Sequence, residues 1–147
     1  MPFSLANPAV LGMIAIAGVA FVVGSWKAGE AWRSTALRHP DRDGGSGSNQ
    51  RFRFATVRLG LNGHRPLTYR NCVNVTLSEA GVRFSVWGPF GLGHPPLLIG
   101  RDVVMTSEST FTPMGDAARL ILENEAELIV YGAAGKAVLR SFSDLAV

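Results

Sequence analysis

An uncharged apolar run near the N-terminus constrains this chain more than any other feature. Residues 8–26, PAVLGMIAIAGVAFVVGSW, contain no Asp, Glu, Lys or Arg. As a helix rising about 1.5 Å per residue, the run approaches the roughly 30 Å thickness of the hydrocarbon layer of a bilayer. A helix that is apolar on every face is unusual in a small soluble protein. The run therefore predicts a transmembrane helix.

The flanks of this run bear on whether it is an anchor or a cleaved signal peptide. Asn7 can cap the first free amides, and Pro8 suits the first helical position, where no amide donor is needed. No Lys or Arg precedes the run, which is also long for a signal peptide. The small residues Ala15, Ala17 and Ala20 resemble a cleavage site and keep that alternative open. We expect an uncleaved anchor.

The distribution of basic residues predicts the orientation of the helix. Residues 1–7 carry none, whereas the segment that follows the helix is rich in them: Lys27, Arg33, Arg38 and Arg42. The positive-inside rule then makes residues 1–7 a short exterior tail and places the C-terminal part in the cytoplasm. Twelve arginines against two lysines are typical of a GC-rich bacterial genome, so we expect the bacterial inner membrane.

The helix is expected to continue beyond the membrane and to end at a flexible linker. Residues 27–39, KAGEAWRSTALRH, favour helix, and Pro40 stops it, which predicts a single helix over 8–39. Trp26 and Trp32 would lie at the headgroup layer or contact a partner. The Gly/Ser-rich segment 40–50 predicts a flexible linker.

From residue 51 onward the apolar residues alternate with polar ones, which indicates β-strands. NVTLSEAGVRFSV predicts a hairpin that turns at Gly81, and RLILENEAELIVYG predicts a second hairpin. RFRFATVRLG changes parity near Ala55, which indicates a bulge or twist, and LNGHRPL carries an Asn-Gly turn signal. PLLIGRDVVM is expected to be a strand with an interruption at Gly100. The final stretch has helical spacing at three apolar positions: Val138, Phe142 and Leu145.

These elements predict about six short antiparallel strands and a C-terminal helix that covers them. The order of the elements resembles bacterial PH-like and GRAM-like domains over residues 51–147. The apolar run Leu97, Leu98 and Ile99 matches those families, as does the ending Asp102-Val103, whereas Gly100 and Arg101 stand where they carry Pro and Trp. The resemblance implies a curled sheet or split barrel and a role in lipid binding, peptide binding or scaffolding.

The stretch GPFGLGHPPLLIGRDVV, residues 88–104, raises the question of a ligand loop around His94. No Asp, Glu, Ser or Cys is near His94 in sequence to orient its ring. We favour a turn in which His94 bonds a backbone carbonyl. The apolar tip is a candidate contact for a partner or a membrane through three side chains: Trp87, Phe90 and Leu92.

Two further sets of residues are candidate contacts. Arg51, Arg53 and Arg58 could hold anionic lipid headgroups or could simply protect an edge strand, and neither alternative is preferred. On the apolar helix, one face has small residues at steps of three and four, and we expect another helix to pack there through Met13, Ala17, Ala20 and Gly24.

Most other functions are disfavoured. The single cysteine, Cys72, permits no internal disulfide, and the histidines and carboxylates show no metal-ligand spacing. No catalytic constellation, cofactor motif or small-molecule substrate site is recognisable. The net charge of +3 is low for binding nucleic acid.

The first hypothesis is a non-enzymatic accessory or scaffold subunit of a larger integral membrane protein complex, respiratory or photosynthetic, docked through the cytoplasmic domain. The second hypothesis is a PH-like sensor of anionic membrane lipids.

Overall fold

The protein contains an apolar N-terminal helix, a short amphipathic helix, an antiparallel sheet and a C-terminal helix. The structure, a computed structural model, describes residues 7–41 and 50–143. The helices are α1 (Pro8–Ala28), α2 (Glu30–Arg38) and α3 (Gly132–Ser143). The strands are β1 (Arg51–Leu61), β2 (His64–Ser78), β3 (Gly81–Val86), β4 (Leu97–Ile99), β5 (Val104–Thr112), β6 (Gly115–Leu122) and β7 (Glu127–Tyr131).

Helix α1 has the form that its sequence predicts. The Asn7 side chain accepts a hydrogen bond from the amide of Ala9 at 3.0 Å, and Pro8 occupies the first turn. The helix has 21 residues, reaches a mean hydropathy of 2.1 and buries no residue against the rest of the protein. The N-terminal apolar helix is thus confirmed, and its length and composition suit either a membrane span or a signal sequence.

The single helix expected over 8–39 is instead two helices that meet at Gly29. The Gly29 amide closes α1 by donating to the Ser25 carbonyl, and the Gly29 carbonyl accepts from the Arg33 amide in the first turn of α2. One face of α2 is buried: Ala31, Trp32, Thr35 and Ala36. Helix α2 therefore packs into the core of the β domain.

Two of the expected segments lie beyond what the structure describes. The expected linker 40–50 is described only at its ends, because residues 42–49 are outside the described residues. The exterior tail is likewise described only at Asn7, and Leu145 lies beyond the described part of α3.

The seven strands form one curled antiparallel sheet in the order β4-β3-β2-β1-β7-β6-β5. Strands β4 and β5 lie at opposite ends of this order, yet only residues 100–103 separate them along the chain. So short a connection brings the two edges near each other and curls the sheet into a half-barrel. The mainly antiparallel β domain with a C-terminal helix is confirmed, and it has seven strands because a short 3₁₀ turn, Arg101–Val103, splits the expected strand into β4 and β5.

The expected turns lie where the sequence signals them. The hairpin β2–β3 turns through Glu79 and Ala80, and Gly81, which begins β3, has a φ of 139°, a value that glycine adopts readily. The hairpin β1–β2 turns at Asn62-Gly63. The hairpin β6–β7 turns through Glu125, which adopts a φ of 61°. The bulge near Ala55 is also confirmed, because the register of β1 against β2 shifts on both sides of Ala55.

One core fills the half-barrel and joins the sheet to α2 and α3. Val138 and Phe142 bury the inner face of α3, as their spacing predicts. Gly135 lets α3 approach β7 closely, since a Cβ there would overlap the Val130 carbonyl. The largest fully buried side chain is that of Trp32, from α2. The same helix also leads to the segment that covers the β4 edge, where the Leu98 amide donates to the His39 carbonyl at 3.1 Å.

Candidate functional site

The loop between β3 and β4 packs against the point where α1 meets α2. We call residues 87–96 the junction loop. Gly93, at a φ of 74°, is so close to the helices that a Cβ there would be 2.9 Å from the Trp26 ring. A Cβ on Gly29 would lie 2.9 Å from both the Gly93 carbonyl and the His94 ring. Glycine on both sides therefore permits the contact between loop and helices.

Arg33 fixes this contact with hydrogen bonds to both sides. One guanidinium nitrogen, Nη1, donates to the Trp26 carbonyl at 2.6 Å and to the Gly93 carbonyl at 3.2 Å. The guanidinium carbon lies 4.2 Å from the centre of the exposed Trp26 ring, a cation–π distance. Arg33 thus links α1, α2 and the junction loop.

Trp32 lies in the protein core, which differs from the headgroup or partner position expected from sequence. Its side chain is fully buried, and its indole nitrogen donates to the Pro95 carbonyl at 2.7 Å. Its ring meets that of Tyr69 edge to face, with centroids 4.9 Å apart. Helix α2, which begins directly after Gly29, packs on β1 and β2, and this packing places Trp32 in the core. Trp26 remains exposed at the end of α1.

His94 makes the backbone hydrogen bond that the sequence analysis expects. Its Nδ1 lies 2.9 Å from the Leu92 carbonyl and therefore carries the proton, since a carbonyl only accepts. Burial lowers the pKa of His94, the hydrogen bond to Leu92 opposes that shift, and the nearby Arg33 charge adds to it. The ring is therefore neutral at pH 7, and its Nε2 is a buried acceptor without a partner among the described residues.

The tip of the junction loop reaches back along α1. The rings of Phe90 and Phe21 meet edge to face with centroids 5.9 Å apart. Phe21 lies seven residues before the end of α1 at Ala28, about 10 Å along the helix axis. All three predicted loop contacts are about half exposed, at 46–48%: Trp87, Phe90 and Leu92. The structure thus places an exposed apolar tip beside the last two turns of α1.

A cavity of about 260 Å³ lies between α1, β2 and the junction loop. We call it the junction cavity, and its lining comes from all three elements: Ser25, Ala28, Thr68, Tyr69, Arg70, Cys72, Phe90 and His94. Burial raises the pKa of Tyr69 and of the Cys72 thiol, so both stay protonated at neutral pH. The Tyr69 hydroxyl has no hydrogen-bond partner among the described residues.

The candidate helix-packing residues all lie on the exposed surface of α1. Met13, Ala17, Ala20 and Gly24 contribute no buried surface. A Cβ on Gly24 would have no atom of the described chain within 4 Å. This small-residue face is therefore unoccupied within the described part of the protein.

The three candidate lipid-binding arginines are exposed on β1 but do not form one cluster. Arg51 lies opposite Thr76 and Arg58 opposite Thr68, and register shifts intervene between them. Arg58 borders a surface depression that also contains Glu125 and Glu127. Arg53 precedes Phe54, whose ring meets that of Trp87 with centroids 5.6 Å apart.

Sequence reasoning missed Gly29, Arg33 and Tyr69 as residues of this site. Gly29 lies in a segment of strong helix formers, which conceals the break. Arg33 was recognised only for its charge. A glycine directly after an apolar span, followed by arginine four residues later, is the one local signal that could have indicated the junction.

No family model and no curated protein matches this sequence. The described residues also contain no group of three side chains suited to hold a metal ion. Function is therefore inferred from the geometry of the junction.

Proposed function

We propose that this chain is a non-enzymatic single-pass membrane protein with a PH/GRAM-like domain that serves as an accessory or scaffold subunit of a larger membrane complex. In this proposal α1 crosses the bacterial inner membrane, and the β domain rests on its cytoplasmic surface. The observation that carries the proposal is the contact between Phe90 of the junction loop and Phe21 of α1.

This contact supports a membrane position for the junction loop as well as for α1. A helix of 21 residues is about 31 Å long, so a spanning α1 would end near the headgroups. Phe21 would then lie about 10 Å inside that end, within the apolar layer. Phe90 packs against it, and therefore the apolar tip of the loop would enter the membrane surface.

The orientation rests on charge. Lys27, Arg33 and Arg38 follow α1, whereas residues 1–7 contain no Lys or Arg, and this asymmetry favours a cytoplasmic β domain. Cys72, the one cysteine, is compatible with that reducing compartment.

An accessory role is supported by the fixed relation between two exposed surfaces. The small-residue face of α1 is open to another helix, and the β domain is attached directly to α1 by Arg33 and the two close glycines. A partner could therefore contact helix and domain together. Because the β domain is held directly against α1, binding of a partner to the small-residue face of α1 brings the β domain close to the same partner.

Co-purification in mild detergent tests the accessory role. Gly24→Leu places bulk on the small face of α1, and Phe90→Asp charges the loop tip. We expect each variant to lower the recovery of co-purifying membrane proteins and the double variant to abolish it. Phe111→Asp is the matched control, because Phe111 is 83% exposed on β5 and should tolerate the charge. Normal recovery with the double variant, inserted and folded, would contradict the proposal.

Fusion reporters test the orientation separately. A reporter that is active only in the cytoplasm should work after Val147, and a periplasmic reporter there should be silent. The reverse result would exclude a cytoplasmic β domain and would restore the signal-peptide alternative.

Sensing of anionic lipids is the second candidate function, and the exposed arginines of β1 favour it. Arg51 and Arg53 lie on the strand that carries Phe54, and Phe54 contacts Trp87 at the base of the loop tip. Exposed arginines beside an apolar tip suit an anionic membrane surface. Binding of the full chain to nanodiscs with and without anionic lipid would distinguish sensing from docking on a protein.

A further inference from the structure

We infer that the junction cavity binds one anionic phospholipid, with its phosphate at Arg70 and its glycerol and first acyl carbons along Ala28 and Phe90. This inference rests on the proposed membrane position of α1. It locates lipid recognition at the junction of helix, loop and β2, away from the arginines of β1.

The position of the cavity fits a lipid at the membrane surface. Its lining includes Ser25 and Ala28, which belong to the last turn of α1. With α1 across the bilayer, these residues lie at the boundary between acyl chains and headgroups. Phe90, on the opposite side, contacts α1 still deeper, at Phe21. The cavity therefore lies where the glycerol region of a lipid is found.

The lining combines apolar and polar side chains, as a phospholipid combines acyl chains with a polar headgroup. Ala28 and Phe90 supply apolar surface, whereas Ser25 and Thr68 supply hydroxyl groups that can donate to phosphate or ester oxygens. Arg70 is exposed, and its guanidinium forms no ion pair with a carboxylate of residues 7–41 or 50–143. A planar guanidinium is well suited to bind phosphate through two hydrogen bonds.

The lining also holds two buried side chains that each have one polar atom without a hydrogen-bond partner among the described residues. Tyr69 and His94 are 7% and 6% exposed, and the Tyr69 hydroxyl and His94 Nε2 have no partner among the described residues. Buried polar atoms are nearly always paired in folded proteins, with protein, water or a ligand. A hydroxyl donor and a ring acceptor beside the cavity fit a ligand rich in ester and hydroxyl oxygens.

Native mass spectrometry of the full-length chain in mild detergent tests this inference. We expect phosphatidylglycerol to be retained in preference to phosphatidylcholine. Arg70→Gln should lower the retention of phosphatidylglycerol about fivefold, the effect of one charge contact at an anionic surface. Arg140→Gln is the matched control, since it removes one exposed arginine from α3, outside every surface proposed to bind lipid, and it should leave retention unchanged.

Two further experiments test whether the ligand is a lipid or a free phosphate, and whether the apolar side of the cavity contributes to binding. Glycerol 3-phosphate, which lacks acyl chains, should not displace the lipid, and Ala28→Leu should lower the retention of both lipids by narrowing the cavity. Displacement by glycerol 3-phosphate would overturn the lipid assignment. Loss of retention with Arg51→Gln but not with Arg70→Gln would move the lipid to β1 and overturn the site.

These outcomes are independent of the accessory role. If partner proteins are lost from purified samples while phosphatidylglycerol is retained through Arg70, the proposed function fails and the lipid site stands. If Arg70→Gln and Ala28→Leu leave lipid retention unchanged while partner proteins co-purify, the lipid site is contradicted and the accessory role is not.

Discussion

Helices α1 and α2 follow each other with only Gly29 between them, and their environments are opposite. Helix α1 is the more apolar of the two and buries none of its 21 residues. Helix α2 has charged residues at both ends, yet four of its nine residues are buried, including the fully buried Trp32.

The difference between the two helices shows that amphipathicity, rather than mean hydropathy, decides which helix packs into the protein core. Helix α1 is apolar around its whole circumference, so it has no single apolar face that would pack on the sheet in preference to contact with lipid. In α2 the buried residues share one face, whereas the charged residues Glu30 and Arg38 at its two ends are exposed, so that one face can be buried without removing those charges from water. Gly29 lies between the exposed helix α1 and the partly buried helix α2.

The largest effect should come from removing the core side chain of α2. Trp32→Ala deletes a fully buried ring that also donates to the Pro95 carbonyl. We expect the free energy of unfolding to fall by about 3–5 kcal/mol, measured by denaturant titration of the full chain in detergent with circular dichroism. Trp26→Ala, on the exposed end of α1, should lose less than about 1 kcal/mol. Similar losses for the two tryptophans would mean that α2 is not part of the core.

A substitution at the break between the helices should have the next largest effect. Gly29→Ala adds a Cβ that meets the Gly93 carbonyl and the His94 ring at 2.9 Å. The resulting overpacking should cost about 1–3 kcal/mol and displace the junction loop. Gly18→Ala within α1 is the control, because no atom lies within 4 Å of its Cβ position. Equal stability of both variants would indicate that the loop does not press on Gly29.

Acidification should weaken the junction because His94 is buried in its neutral form. Its pKa is lowered by burial, so below about pH 6.5 the unfolded chain binds a proton that the folded chain does not. Stability is therefore complete above pH 6.5 and falls as the pH decreases toward the lower folded pKa. We therefore expect the free energy of unfolding to be lower at pH 5.5 than at pH 7.5.

His94→Gln should reduce this pH dependence without abolishing it. Burial also lowers the pKa of His39, which contributes with the same sign. The free energies of unfolding of both proteins at pH 7.5 and 5.5 give the comparison. An unchanged pH dependence in the variant would show that His94 is not the titrating group.

The smallest effect on stability should come from the outer face of α1. Ala20→Leu lies on exposed helix surface, so the free energy of unfolding should change by less than about 0.5 kcal/mol. The same variant should nevertheless lower co-purification of partner proteins, because close helix approach needs small residues. A large loss of stability would instead mean that this face packs on the protein's own β domain.

Local sequence patterns determined the elements that depend on near neighbours along the chain. The apolar run and the Asn7 cap predict α1, the turn residues predict two hairpins and the Asn-Gly turn, and the parity change near Ala55 predicts the bulge. Alternating side chains and glycine turns act over a few residues, so they can be recognised without knowing the fold. The carbonyl hydrogen bond of His94 is equally local, since Leu92 is two residues away.

Only the tertiary structure decided that α2 belongs to the β domain and that the junction loop closes on it. The hydrogen bonds that establish this join Trp32 to Pro95 and Arg33 to Gly93, which are 63 and 60 residues apart. Residues 27–39 favour helix by local propensity throughout, so propensity does not distinguish one helix from two. The need for glycine at position 29 likewise becomes visible only in the tertiary structure, because Gly93 and His94 of the junction loop lie where its Cβ would be.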